Sequence, residues 1–268
     1  MKKRFILIVL AGLFIVSAYS QTPANDPHWS KIWEDEFLNL NNWYCYDHVH
    51  NIDNDISVLL TKNVSVQNGK LVIQALREEC WFNGKKYDYT SGSVTNYTPG
   101  MHYGYIESKM KLPYGKGLWP AFWTFQNTSN PSNAAEIDIF EMLGHLSPTT
   151  MTTNLHTCYK ESNPNCIESY YKEVEIPYNY TNWITYAIEW TPTKFIWYVD
   201  GVAVRNFPNP GIIDPVRIII GMGINSKPPD QPDNTTPFPA KMEVDYVRLY
   251  KLKCDKNTVV TQIPNFNT

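Results

Sequence analysis

The chain has 268 residues, a formal net charge of −3 and 14% aromatic residues, including 9 Trp and 18 Tyr. A mildly acidic balance gives no reason to expect a nucleic-acid or anionic-membrane partner, whereas a neutral polymer is admissible because flat rings can stack on flat ligand faces. The length suits one large all-β domain or two small ones.

Lys2, Lys3 and Arg4 precede a mostly apolar run from Phe5 to Val16, followed by Ala18, Tyr19, Ser20 and Gln21. This is the pattern of a secretory signal peptide, with cleavage expected near Ser20-Gln21. The run is about 12 residues, short of the ~20 that a spanning helix needs, and no later segment is long and apolar enough to span. The expected mature chain is secreted or periplasmic, with no membrane partner. Losing three cationic residues moves its net charge from −3 to −6.

Cys45, Cys80, Cys158, Cys166 and Cys254 all fall after the signal, in a compartment that permits disulfides. Cys158 and Cys166 flank a Ser/Asn/Pro loop they could close. Cys45 with Cys80 is a second pairing, and Cys254 is left over, although pairing is not readable from sequence. Metal-ligand spacing is missing among them.

Strand-like runs follow in order: Val64 to Val66, Lys70 to Ala75, Gly104 to Leu112, Ala135 to Glu141, Thr150 to Thr157, Trp183 to Trp190, Phe195 to Val199, Arg217 to Gly221 and Met242 to Tyr250. Asn68-Gly69 and Asp200-Gly201 sit between such runs and predict hairpin turns. No segment after the signal has a sustained 3.6-residue apolar period with caps. Many short strands imply an all-β fold of two packed antiparallel sheets, a sandwich or jelly roll. One domain is expected over residues 21–252, followed by a polar tail over 253–268.

The segment Glu136-Ile137-Asp138-Ile139-Phe140-Glu141 alternates acidic and apolar residues and then breaks phase. In a regular strand Glu141, five residues from Glu136, would point into the core. A charged carboxylate there costs several kcal/mol unless paired. A bulge at Ile139-Phe140 adds one residue and returns Glu141 to the face of Glu136, so a bulge is predicted. The two Glu Cα atoms would then lie roughly 13 Å apart. Leaning side chains could bring the carboxyls to the ~5 to 5.5 Å of a retaining glycosidase. Asp138, between them, adds like charge, so that one carboxyl keeps its proton while a neighbour is ionised. Upstream, alternation in Leu118-Trp119-Pro120-Ala121-Phe122-Trp123 puts Trp119, Ala121 and Trp123 on one face, where indoles can stack on sugar rings.

With these residues in view, the chain resembles glycoside hydrolase family 16, its laminarinase-like branch in particular. The resemblance is carried in order by Trp33-Glu34-Asp35-Glu36-Phe37, Asn63-Val64-Ser65-Val66, Asn68-Gly69-Lys70-Leu71, Tyr89-Thr90-Ser91-Gly92, Tyr103-Gly104-Tyr105-Ile106-Glu107, the Trp119 to Trp123 segment, the Glu136 to Glu141 motif, Glu189-Trp190-Thr191-Pro192, Val199-Asp200-Gly201 and Asp245-Tyr246-Val247-Arg248. It implies a β-jelly roll with a long cleft on a concave sheet and double-displacement hydrolysis within a polysaccharide chain. It places the nucleophile on Glu136, the helper acid on Asp138 and the acid/base on Glu141. The bulged spacing is similar to laminarinases, agarases and carrageenases rather than bacterial lichenases. His156 matches a His near the family's acid/base, with Asn154 on the same strand face, and Asn54 matches a substrate-binding Asn. The resemblance requires no cofactor for catalysis. It also implies a structural calcium, held by a side chain at Asp245 and backbone oxygens near Glu36 and Gly69, ligands that suit a hard ion.

The leading expectation is a monomeric endo-hydrolase of β-1,3-linked or mixed-linkage β-glucan. A red-algal galactan (agarose, carrageenan) is a second reading, disfavoured by the net negative charge where sulfated polymers call for basic clefts. A carbohydrate-binding lectin-like jelly roll is a third, since jelly rolls do both jobs. Transglycosylation needs the same carboxylates and stays open.

Overall fold

The computed structural model describes residues 22–50, 55–97, 100–126, 135–157 and 169–253. The predicted signal peptide, Asn54, Cys158, Cys166 and Cys254 lie outside the described residues.

Seventeen strands occur among them: β1 (Trp29–Asp35), β2 (Trp43–Cys45), β3 (Ser57–Leu59), β4 (Val64–Val66), β5 (Leu71–Phe82), β6 (Lys85–Ser91), β7 (Ser93–Asn96), β8 (Gly104–Lys111), β9 (Leu118–Phe125), β10 (Glu136–Glu141), β11 (Thr150–His156), β12 (Lys172–Glu175), β13 (Ile184–Trp190), β14 (Lys194–Val199), β15 (Val202–Pro208), β16 (Arg217–Ile224) and β17 (Ala240–Leu252). They form two sheets. The larger runs β15-β14-β13-β8-β17-β5-β6-β3, with β1 also on β17 and β4 also on β5. The smaller runs β12-β11-β10-β9-β16-β7-β2. Pairing is antiparallel except between β3 and β6. No helix among the described residues is long and apolar enough to cross a membrane.

Alternation explains the layering. Along β9, Leu118, Pro120, Phe122 and Thr124 are buried while Trp119, Ala121, Trp123 and Phe125 are half-buried. Cross-strand register carries the pattern sideways, since Phe122 faces Ile220 and Ile220 faces Val94. That row belongs to one core shared with Ile73, Ile106, Met110, Ile188, Trp197 and Val244 of the larger sheet. The next row, Trp123–Ile219–Thr95, points the other way, onto the outer face of the smaller sheet.

All nine predicted runs are strands, and both predicted turns have positive φ at each central residue: 52° and 69° at Asn68-Gly69, 44° and 78° at Asp200-Gly201. Such values suit two-residue hairpins. The expected pairing of Cys45 with Cys80 is wrong, because both are free thiols. Cys45 lies at the edge of the smaller sheet against the main core, and Cys80 lies in β5 beside a satellite cluster of Val58, Leu60 and Tyr87. Stacked sheets sit about 10 Å apart, whereas a disulfide needs Cα atoms within ~7 Å.

The predicted bulge is present. Against β9, Asp138 faces Trp123 and Phe140 faces Phe122, so Ile139 is the extra residue. The same shift appears against β11, where Asp138 faces Asn154 and Glu141 faces Thr152. Ile137, Ile139 and Phe140 are all buried at 1% exposure or less. Phe140 packs on Tyr186 of the opposite sheet with ring centroids 4.5 Å apart. Phe140→Ala should therefore lower unfolding free energy by about 3–5 kcal/mol in chemical denaturation.

Candidate active site

Three adjacent strands of the smaller sheet bring the acids, imidazole and indoles onto its outer face. Row by row, Glu136 faces His156, Asp138 faces Asn154 and Trp123, and Glu141 faces Thr152 and Ala121. Trp119 lies two residues before Ala121 on the same face and donates its indole Nε1–H to Glu141 Oε1 at 2.9 Å. Trp119, Trp123, Asn154 and His156 thus join the three acids in one place. Asn54 lies outside the described residues.

Asp138 is 2% exposed, and its carboxyl bonds to that of Glu136 while Oδ2 is buried without a hydrogen-bond partner. Burial first, and then the charges of Glu136 and Glu141, hold the Asp138 carboxyl well above the usual carboxylate range. An acid kept neutral there can donate its proton to Glu136. Glu141 is pushed up to about 7, chiefly by desolvation and next by the charge of Glu136, with the Trp119 hydrogen bond and His156 opposing.

The imidazole is oriented from the side. His156 Nε2 is 3.0 Å from Asn154 Nδ2. Asn154 Oδ1 already accepts from Leu155 N and Ser169 Oγ, so its amide nitrogen must be what faces the ring. His156 Nε2 therefore accepts from the Asn154 amide, and it lies 3.5 Å from Asp138 Oδ2 and 3.8 Å from Glu136 Oε1. Glu136, Asp138 and His156 are also the one group of three or more metal-ligating side chains among the described residues, with ligand atoms within 4.8 Å of one another. A protonated Asp138 makes that grouping a poor metal site, since a ligand carboxyl must be ionised.

Sequence reasoning missed several supports. Trp197, from the larger sheet, donates across the sandwich to the Asp138 carbonyl at 3.0 Å, and Thr152 Oγ1 donates to the Glu141 carbonyl at 2.8 Å. These two bonds pin the backbone on either side of the bulge. Asp55, 4% exposed, accepts from Ile224 N and from Ser57 N and Oγ through Oδ1, beside the Trp119 ring. No periodic or motif signal marked it. The surface between the indoles is low: Glu141 leads across to Ala121, Gly221 and Ser93 in one register row. A Cβ at Gly221 would lie 2.6 Å from Ser93 Oγ. Side chains this small leave a groove floor bordered by Trp119 and Trp123.

Asp245, the one side chain expected to hold calcium, is already met by cations of the chain. The Asp245 carboxylate lies 3.5 Å from Lys70 Nζ and 3.4 Å from Lys109 Nζ, and both ammonium groups also sit over the Trp183 ring. The carboxylate that would meet a cation already meets two.

Comparison with known proteins agrees with this geometry. The family model described as "Glycosyl hydrolases family 16" matches residues 52–248. The chain belongs to glycosyl hydrolase family 16. A beta-glucanase of Rhodothermus marinus is 30% identical, with 92% of this chain and 93% of that protein covered. Among solved structures, the catalytic domain of an endo-1,3-beta-glucanase (laminarinase) from Thermotoga petrophila is similar at TM-score 0.74 and 30% identity, over 84% of this chain and 99% of that one. An endo-beta-1,3-glucanase from Pyrococcus furiosus is similar at TM-score 0.72 and 30% identity, over 85% and 96%.

The raised Glu141 carboxyl has a consequence for stability. The folded state holds its proton up to about pH 7, whereas an unfolded Glu releases it near pH ~4.3, so this group costs stability progressively as pH rises between those values. Glu141→Gln should therefore raise the melting temperature, with a gain that grows from pH 4 to about pH 7 and then levels off in calorimetry.

Proposed function

We propose that this family 16 glycoside hydrolase cleaves β-1,3-linked or mixed-linkage β-glucan internally, by a retaining double displacement, with Glu136 as nucleophile and Glu141 as acid/base. The observation that carries the reading is the bulge, which puts both Glu residues and a neutral Asp138 on one face while Ile139 and Phe140 fill the core. The catalytic cycle uses only these groups. The Glu136 carboxylate bonds to the anomeric carbon as the glycosidic C–O bond breaks, and Glu141 gives its proton to the departing sugar oxygen. Water then attacks the same carbon, Glu141 takes the water proton, and Glu136 leaves as carboxylate. Asp138 shares its proton with Glu136 and stabilises it as leaving group. Trp119 holds Glu141 in place, and Asn154 orients His156 beside the pair.

Trp119 and Trp123 border the sugar site, and a neutral glucan suits a groove whose charged groups are mostly acidic. The named glucanases among the similar proteins support this polymer over a galactan. We further propose that the protein acts outside the cytoplasm as a monomer, after losing its first 20 residues, and needs no cofactor.

Purified protein should release reducing ends from laminarin or cereal β-glucan; no release from either would overturn the substrate. Glu136→Gln should lose turnover by ~10⁴-fold or more with an unaltered melting transition, because the covalent step is gone while the fold is not.

The acid role has its own signature. Glycosylation needs Glu141 protonated, so kcat/KM should fall as pH rises through about 7. In Glu141→Gln, measured with an aryl glycoside whose leaving group needs no proton, that alkaline limb should vanish.

A further inference from the structure

The low groove floor does not stop at the catalytic strand. From Asp138, the register on the outer face runs through Trp123, Ile219 and Thr95 to Tyr44, one residue from each of β10, β9, β16, β7 and β2. The parallel row of small residues, Ala121–Gly221–Ser93, ends where Tyr46 donates its backbone N–H to Ser93 O. At this far end three tyrosines gather. Tyr44 lies 5.4 Å from Tyr46 and 6.4 Å from Tyr97 between ring centroids, edge-on to both. Tyr44 and Tyr97 are 45% and 51% exposed, although their neighbour Trp43 is buried in the core. Tyr46 bonds to Thr95, and the exposed Arg217 shares the strand face of Ile219 beside it.

We propose that Tyr44, Tyr46 and Tyr97 form a distal sugar platform that grips the polysaccharide about four sugars from the scissile bond. This rests on the endo-glucanase reading above. Four strand spacings of ~4.8 Å separate Asp138 from Tyr44, and a hexose advances about one spacing along a chain laid across the strands. The occupant is the same glucan chain, because beyond Trp123, which borders the sugar site, the two rows leading to the tyrosines carry only Ile219, Thr95, Gly221 and Ser93. Exposed rings with hydroxyl tips, next to a guanidinium, suit sugars that offer an apolar face and a rim of hydroxyls. The enzyme would therefore favour long chains and cut them away from their ends.

The test compares laminarin with laminaritetraose, which is too short to span the scissile bond and reach Tyr44. The Tyr44→Ala/Tyr97→Ala double variant should lose about tenfold in kcat/KM on laminarin, mostly through KM, and at least fivefold less on the tetrasaccharide. Tyr44→Phe/Tyr97→Phe should recover most of the loss, since stacking needs the ring. Melting temperature checks the fold. If the double variant does not fold, Tyr97→Ala alone is read in the same way with a smaller expected loss. Equal losses on both substrates, or full activity on laminarin, would overturn the platform while leaving the glucanase reading intact. Failure of the unaltered enzyme to cleave either laminarin or cereal β-glucan would overturn both.

Discussion

Everything at this site depends on the phase of one strand. β10 must send Ile137, Ile139 and Phe140 into the sandwich and Glu136, Asp138 and Glu141 out of it, and a two-residue period cannot do both across six positions. The bulge at Ile139 resolves the conflict, and the rest of the molecule is arranged to hold it. Tyr186 and Phe122 pack on Phe140 from two directions. Trp197 and Thr152 take up the carbonyls of Asp138 and Glu141, which the disrupted ladder would otherwise leave strained for partners. A bulge anchored by apolar side chains on one face and by side-chain donors on its backbone is a rigid mount for two carboxyls.

Rigidity matters because the chemistry uses energetically unfavourable electrostatics. Three carboxyls share a face, one of them nearly inaccessible to water, so the fold keeps two of them protonated above their ordinary range. That arrangement costs stability as pH rises, and it lets Asp138 and Glu141 keep a proton at pH values where an ordinary carboxyl has lost it. Asn154 and Ser169 complete it by fixing the ring of His156, whose Nε2 faces both Glu136 and Asp138.

The same sheet geometry extends outward from the chemistry. Small residues at Ala121, Gly221 and Ser93 lie in register because antiparallel pairing aligns them, not because they are near in sequence. Their alignment makes a floor across three strands, with indoles at the end nearest the acids and tyrosines at the other. On the opposite sheet, Lys70 and Lys109 occupy the surroundings of Asp245, so the charge that a bound ion would balance is balanced by the chain itself.

Much of this was legible along the chain. Strand period, hairpin dipeptides and the phase break in Glu136 to Glu141 are local signals, and each follows from residues within a few positions of one another. The bulge in particular could be deduced, because leaving Glu141 in the core would be too costly. The local signals did not reach the short edge strands β2, β3 and β12, which owe their conformation to their neighbours. Asp55 was also invisible, since it is set beside Trp119 only by the pairing of distant segments. The cysteine pairing failed for the same reason: spacing along the chain does not say which sheet a residue joins, and the fold assigns Cys45 and Cys80 to different sheets. Sequence determined which groups could do the chemistry, because side-chain type and strand phase are local properties. Tertiary structure decided their protonation, their supports and the length of the groove, because burial and cross-strand register exist only once distant strands are paired.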